Sequence, residues 1–168
     1  MPIKFDRNLY NIYDPLAKRY MRWWLLMNNY TDINIEETYG VDITCKNKDN
    51  NDCYFELEVK SSWIDNWPDS WKEIRIPYRK RKIIDKWTRE GSSGILTFVV
   101  FEKNIDYAWF IDGAVVNKCD VKPVDNRRRA AELFYHIKIA DAELKIMYNC
   151  GGEDTYDEDA LINSKYPN

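Results

Sequence analysis

Alternating apolar and charged residues mark one segment of the chain as a β-strand. In residues 53–60, "CYFELEVK", every second side chain is apolar: Phe55, Leu57 and Val59. The charged side chains alternate with them: Glu56, Glu58 and Lys60. A period of two predicts a half-buried strand whose charged residues share one face. That face is either a solvated surface held by salt bridges or part of a binding site.

The residues before this strand predict a β-hairpin. Residues 33–45 have an extended pattern, and the polar, turn-rich segment 46–52 connects them to the strand at 53–60. Asp42 lies on the first strand of this hairpin. Since side chains on facing strands lie close together, we expect Asp42 near Glu58.

Two segments have the period of an amphipathic helix. Residues 14–28 offer Asp14 as an N-cap and Pro15 at the first helical position. Their apolar residues recur at helical spacing: Leu16, Tyr20, Trp23, Trp24 and Met27. Residues 77–90 predict a basic helix that begins at Pro77, with Ile83, Ile84 and Trp87 facing the core.

Short strand patterns fill most of the remaining chain. Residues 94–102 form the most apolar run and predict a buried central strand, with 106–112 as its neighbour. Further short elements follow the same reasoning: an extended piece at 74–76, a helical turn at 113–118 and a strand at 131–139. Together the elements predict an α/β fold with a mixed β-sheet flanked by helices. We expect one domain over residues 1–150 and a poorly ordered acidic tail over 151–168.

Composition narrows the class of protein. A chain of 168 residues with 45% hydrophobic and 32% charged residues is typical of a single globular domain. It has no apolar run of membrane-span length and no apolar signal segment at its start, so we expect no membrane partner and a cytoplasmic location. The small size favours a phage or mobile-element protein. Such a protein would act in the cytoplasm of the host cell.

The cysteines and the histidine argue against a zinc site. The four cysteines form no CxxC pair, and the chain has a single histidine, His136, which we interpret as structural. Cys45 and Cys53 face each other in the predicted hairpin. In a reducing cytosol we expect both to be free thiols.

Basic residues are concentrated although the net charge is −3. We expect the group around the second helix to contact nucleic-acid phosphates: Arg75, Arg79, Lys80, Lys82 and Lys86. Arg127, Arg128 and Arg129 form a second basic group. Trp63, Trp67 and Trp71 are either core residues or platforms that stack on unpaired bases.

The charged strand face has the chemistry of a metal site. The carboxylates of Asp42 and Glu58 are hard oxygen ligands, which Mg²⁺ prefers, and the Val59 backbone carbonyl supplies another oxygen. Lys60 lies on the same strand face as Glu58. Its ammonium is suited to stabilise the charge that develops during phosphodiester hydrolysis.

Asp42 in "GVDI" and Glu58-Val59-Lys60 in "ELEVK" resemble the motif of the PD-(D/E)xK nuclease superfamily. The order of helix, hairpin, helix and strand between Asp14 and Phe101 is similar to the common core of that superfamily. The resemblance implies a restriction-endonuclease-like core and a nuclease that cleaves DNA with Mg²⁺ or Mn²⁺. It implies that Asp42 and Glu58 bind the metal and that Lys60 positions or activates the attacking water.

The sequence departs from the superfamily pattern at two points. Val41 replaces the proline that precedes the aspartate. The first helix lacks the additional acidic residue that many members place there, beyond Asp14 at its edge. The candidates to replace that residue are Glu36, Glu37 and Glu56.

Two alternatives are left open. The first is a Holliday-junction resolvase of the same superfamily, for which a homodimer is expected. The second is a non-catalytic nucleic-acid-binding or protein-interaction module, in which the charged strand face is a network of salt bridges. RNA is the alternative substrate to DNA.

Overall fold

The chain folds into two β-sheets and three α-helices within the residues that the computed structural model describes, which are 7–60, 72–102, 107–126 and 129–147. The helices are α1 (Arg7–Met27), α2 (Arg81–Arg89) and α3 (Gly113–Lys118). The strands are β1 (Thr31–Asn34), β2 (Ile43–Lys46), β3 (Asp52–Lys60), β4 (Glu73–Pro77), β5 (Ile95–Glu102), β6 (Tyr107–Asp112), β7 (Asp120–Asn126), β8 (Arg129–Lys138) and β9 (Glu143–Ile146). Short 3₁₀ turns cover Tyr78–Lys80 and Ile139–Asp141.

The larger sheet is mixed, as the sequence predicts. Its six strands lie in the order β1-β2-β3-β5-β6-β9. β3 and β5 run parallel, and every other neighbouring pair in this sheet is antiparallel. The smaller sheet has the order β4-β8-β7. The prediction of an α/β fold with a mixed sheet is therefore confirmed.

The larger sheet is covered on both faces. On one face, α1 contributes Met21 and Leu25 to a core that includes Phe55 of β3. On the other face, Phe98 of β5 packs in a second core with residues of β4, β8 and α2, among them Ile84. This arrangement gives three layers, with β3 and β5 in the middle layer.

The hairpin predicted around residues 46–52 is present. β2 and β3 pair antiparallel, with Cys45 opposite Cys53, and both thiols are free. The predicted central strand is β5, whose Leu96, Phe98 and Val100 are fully buried or nearly so. His136 lies on β8 with its Nδ1 3.0 Å from Glu73 Oε1, which agrees with a structural role.

The predicted start of the first helix is wrong. α1 begins at Arg7, so Pro15 lies inside the helix and Asp14 is not its N-cap. A proline inside a helix removes one hydrogen bond and crowds the carbonyl of residue i−4, and the packing of α1 in the core offsets this cost. Leu16 and Met27 are exposed, and the buried face of α1 includes Ala17 instead.

The extended segment predicted over residues 33–45 is wrong as a single strand, because it comprises parts of β1 and β2 with a loop between them. Two further strands and the second sheet were not predicted from the sequence. β7 contains Pro123, which a sheet tolerates at an edge, and β7 is an edge strand of the smaller sheet. β9 is a short edge strand of the larger sheet, with Leu144 and Ile146 exposed. Among the described residues, no helix has both the length and the apolar composition of a membrane span.

Candidate functional site

The candidate site lies where β3 extends beyond its neighbour β2. β2 pairs only with residues 52–55 of β3, whereas β5 pairs with β3 as far as Lys60. At Leu57 the backbone groups on the open edge are therefore available to side chains. Asp42 Oδ2 accepts a hydrogen bond from the Leu57 N–H (2.8 Å), and Lys80 Nζ donates one to the Leu57 carbonyl (3.0 Å).

Asp42 is a buried carboxylate at the entrance to β2. It directly precedes the first residue of that strand and is 9% exposed. Its backbone N–H donates to Glu56 Oε1 (3.2 Å), and its Oδ1 lies 3.6 Å from Lys18 Nζ. The hairpin thus places Asp42 beside β3, although the neighbour predicted for it there was Glu58. The contacts it makes there are with Glu56 and Leu57.

Lys80 occupies the centre of the site. Its Nζ lies 3.0 Å from Glu56 Oε2 and 2.9 Å from Glu58 Oε2, in addition to its hydrogen bond with the Leu57 carbonyl. The prediction that Lys80 projects outward to bind phosphates is wrong, since the residue is only 8% exposed. Its position in the 3₁₀ turn before α2 directs the long side chain toward β3, where two carboxylates satisfy the ammonium.

Lys60 lies on the other side of Glu58. Its Nζ is 3.7 Å from Glu58 Oε1 and 5.9 Å from the centre of the Phe134 ring. The Lys60 side chain is 14% exposed. Glu58 therefore lies between two ammonium groups. We call Asp42, Glu56, Glu58, Lys60 and Lys80 the acidic–lysine cluster.

The two glutamates of the cluster differ in charge. Burial acts to raise the pKa of Glu58, but Lys80 and Lys60 outweigh it and hold the pKa below its ordinary value. For Glu56, burial prevails over the attraction of Lys80, and Asp42 adds to it, so the pKa is raised to about 7. Glu58 is thus ionised at neutral pH, whereas Glu56 exchanges a proton near neutral pH.

The pKa values of the two lysines in the cluster shift in opposite directions. Burial lowers the pKa of Lys60, although the nearby Glu58 opposes the effect. Burial also acts to lower the pKa of Lys80, but Glu58 and Glu56 prevail and raise it. Lys80 is therefore a permanent cation, and Lys60 is the lysine of the cluster that releases a proton more readily.

The oxygen atoms around Lys80 fit a hard cation in their chemistry. Two carboxylates and one carbonyl surround the ammonium, and these are ligand types of Mg²⁺. No group of three or more His, Cys, Asp or Glu side chains within the described ranges is arranged to hold a metal ion. Val59 lies between Glu58 and Lys60 on β3, and a role for its carbonyl stays a prediction.

Of the three candidates for the additional acidic residue, Glu56 is the one that belongs to the acidic–lysine cluster. It lies on the same face of β3 as Glu58 and hydrogen-bonds the Asp42 backbone. Glu36 and Glu37 are exposed in the loop between β1 and β2. The pattern of residues 53–60 already placed Glu56 on the correct face.

The remaining basic candidates divide into two groups. Arg75, Arg79 and Lys82 are exposed, and Arg79 makes an exposed ion pair with Glu132 (3.5 Å). Lys86 is half-buried, because its Nζ donates to the Tyr39 carbonyl (3.0 Å) and lies 3.8 Å from the centre of the Tyr39 ring. The prediction that Lys86 projects outward is therefore wrong. Its contacts with Tyr39 stabilise the loop that precedes Asp42.

Several residues singled out in the sequence lie outside the described ranges. These are Trp63, Trp67, Trp71, Arg127, Arg128 and the acidic segment 151–168. Arg129 is the first residue of β8, and its side chain is not described.

No protein-family model matches the chain, and no curated protein matches it. The acidic–lysine cluster is therefore the feature from which a function can be inferred. A buried ammonium, the carboxylates of Glu56 and Glu58, and the Asp42 side chain lie there along one open strand edge.

Proposed function

We propose that this chain is a metal-dependent endonuclease that hydrolyses DNA phosphodiester bonds with Mg²⁺ or Mn²⁺. The observation that carries the proposal is the placement of Asp42 against Glu56 and Leu57 at the open edge of β3, with the pair of Glu58 and Lys60 on the same strand. Hard oxygen ligands with a lysine beside them are a set of groups able to perform phosphodiester hydrolysis without histidine or cysteine.

A restriction-endonuclease-like core is part of the same proposal. The order α1, β2, β3, α2 and β5 supports it, because a hairpin carries the acidic residues between two helices. β5 returns parallel to β3 and stabilises the strand that holds Glu58 and Lys60. The smaller sheet packs on the same face as those charged side chains and limits their exposure.

Each residue of the cluster has a role in the proposal. Asp42 and Glu58 bind the cation, together with a backbone carbonyl of β3. The bound cation supplies positive charge at the scissile phosphate. Lys60 orients the attacking water and balances the negative charge that develops on the phosphate. Arg75, Arg79 and Lys82 contact the DNA backbone, since their side chains are exposed.

The second candidate is a non-catalytic nucleic-acid-binding module. The contacts of Lys80 favour it, because they already satisfy Glu56, Glu58 and the Leu57 carbonyl within the chain. In that case the acidic–lysine cluster only stabilises the fold. DNA would then bind through the exposed basic residues without being cleaved.

The test is cleavage of plasmid DNA by wild type, Lys60→Ala and Asp42→Asn. Wild type should cleave with Mg²⁺ or Mn²⁺ and lose activity in EDTA, and each variant should lose about a hundredfold or more of the rate. Lys46→Ala and Asp52→Asn are matched controls, because these residues form an exposed pair on the same hairpin (3.1 Å). Thermal unfolding should show that all variants are folded. Cleavage in EDTA, or full activity of folded Lys60→Ala, would exclude the proposal, and binding without cleavage would favour the second candidate.

A further inference from the structure

The Lys80 ammonium has the surroundings of a bound metal ion. Its three partners are Glu56 Oε2, Glu58 Oε2 and the Leu57 carbonyl oxygen, all at 2.9 to 3.0 Å. Anionic and carbonyl oxygens are the ligands that hard divalent cations use in proteins. The three oxygens belong to consecutive residues of β3. Because β3 is paired with β5 along this stretch, the strand itself keeps them close together.

In their ionised form these oxygens favour a cation beside them. The side chains of Glu56 and Glu58 are only 13% and 20% exposed, and two carboxylates this poorly solvated are costly without a positive partner. Lys80 meets the requirement from within the chain, with a side chain that is itself 10% exposed. A divalent cation would satisfy the same carboxylates with twice the positive charge of the ammonium.

The ammonium and a divalent cation exclude each other at this point. Both need the same three oxygen atoms, and both are positively charged. Lys80 extends from a 3₁₀ turn whose neighbours Arg79 and Arg81 are exposed. Because β3 stays paired with β5, the ammonium has to leave by rotation of its own flexible side chain toward that surface.

We propose that Lys80 competes with the divalent cation for Glu56, Glu58 and the Leu57 carbonyl, and that this competition sets the affinity of the site for the cation. The inference rests on the proposed function for the presence of a cation. It adds Glu56 and the Leu57 carbonyl as ligands and assigns Lys80 to control their occupation. Metal then enters only when the ammonium moves out.

Calorimetric titration with Mn²⁺ alone, without DNA, tests the competition. Lys80→Met should bind Mn²⁺ about tenfold to a hundredfold more tightly than wild type, because the ion no longer has to break the charge-assisted hydrogen bonds of Lys80. Lys118→Met, which removes an exposed lysine of α3, should bind as wild type does. Equal or weaker binding by Lys80→Met would overturn the proposal.

The ligands are tested in the same titration. Glu56→Gln should weaken Mn²⁺ binding, whereas Glu36→Gln, at an exposed position of the preceding loop, should not. Unchanged binding by Glu56→Gln would remove that residue from the ligand set and would contradict a shared site with Lys80.

A second measurement uses the wild-type protein and does not depend on the folding of a variant. Lysines are acetylated in solution with and without Mg²⁺, and the extent at each lysine is determined by mass spectrometry. Mg²⁺ should raise the acetylation of Lys80 and leave that of the exposed Lys82 unchanged. No change at Lys80, up to the highest Mg²⁺ concentration at which the protein stays folded, would overturn the proposal.

Failure of this inference and failure of the proposed function are distinguishable. Metal-dependent release of Lys80 in a protein that cleaves no DNA would keep the inference and exclude the nuclease. EDTA-sensitive cleavage with Lys80 equally protected in the presence and absence of Mg²⁺ would keep the nuclease and exclude the competition.

Discussion

At the scale of single residues, neighbouring carboxylates differ because their surroundings differ. Glu56 and Glu58 share one face of β3 and both bind Lys80. Glu58 has Lys60 as a second positive neighbour, whereas Glu56 has the carboxylate of Asp42. One glutamate is therefore held as an anion, and the other is pushed toward its protonated form.

This difference predicts how stability depends on pH. The pKa of Glu56 is about 7 in the folded chain against an ordinary value of 4.5, so the folded protein keeps a proton that the unfolded chain loses between these pH values. Stability is therefore lost as pH rises through that window. Glu56→Gln removes the effect, so its stability relative to wild type should be higher at pH 8 than at pH 5, by on the order of 2 kcal/mol.

Urea unfolding of both proteins at the two pH values measures this difference. Glu36→Gln is the control, because Glu36 is exposed in the loop. A difference between Glu56→Gln and wild type that is the same at pH 5 and pH 8 would contradict the assigned surroundings of Glu56.

At the scale of elements, the site depends on the unequal lengths of the strands. β2 ends its pairing with β3 at Phe55, and β5 continues to Lys60. The start of β5 is fixed by a close contact with the hairpin at Gly94. A Cβ atom there would lie 2.7 Å from the Tyr54 ring and 2.9 Å from the Asp52 carbonyl oxygen. A shift of β5 would move the strand that supports Glu58.

Gly94→Ala should therefore destabilise the fold more than Gly91→Ala. Both glycines have a positive φ (81° and 76°), so both substitutions strain the backbone, but a Cβ at Gly91 would meet no atom within 4 Å. The additional loss at Gly94 should be about 1–3 kcal/mol, the usual range for overpacking. Urea unfolding measures both variants, and equal losses would show that β5 and the hairpin are not in close contact there.

At the scale of the whole molecule, the basic residues form an engaged group and an exposed group, although the net charge is only −3. Lys80 and Lys86 are engaged within the fold, whereas Arg75, Arg79 and Lys82 are exposed beside the same helix. The ion pair between Arg79 and Glu132 is exposed and long, so it contributes little and leaves the guanidinium available to a phosphate.

DNA binding should therefore depend on salt through the exposed residues. In Ca²⁺, used to limit cleavage, the double variant Arg79→Ala with Lys82→Ala should reduce the slope of log affinity against log salt by about two. The control Lys48→Ala with Lys118→Ala removes the same charge from exposed positions elsewhere and should leave the slope unchanged. Equal slopes for wild type and the Arg79–Lys82 double variant would place the DNA contacts outside α2 and its preceding turn.

Local patterns in the sequence were sufficient to predict much of the middle layer, which contains β3 and β5. The alternation of residues 53–60 predicts β3 and the shared face of Glu56, Glu58 and Lys60, and the polar loop predicts the register of Cys45 with Cys53. These features depend on neighbours in sequence. The inward position of Lys80 was also within reach, since Lys80, Ile83, Ile84 and Trp87 share helical spacing.

Tertiary packing decided the rest. α1 continues through Pro15, and β7 accepts Pro123, because the cost of a missing N–H depends on what surrounds each element. The partners of Lys80 lie more than twenty positions away in the chain, on an edge of β3. That edge is open only because β2 pairs with a shorter part of β3 than β5 does. The protonation state of a buried side chain is set by such distant neighbours and by the exclusion of water. The sequence alone therefore identified the acidic residues of β3, and only the fold determined which lysines they bind.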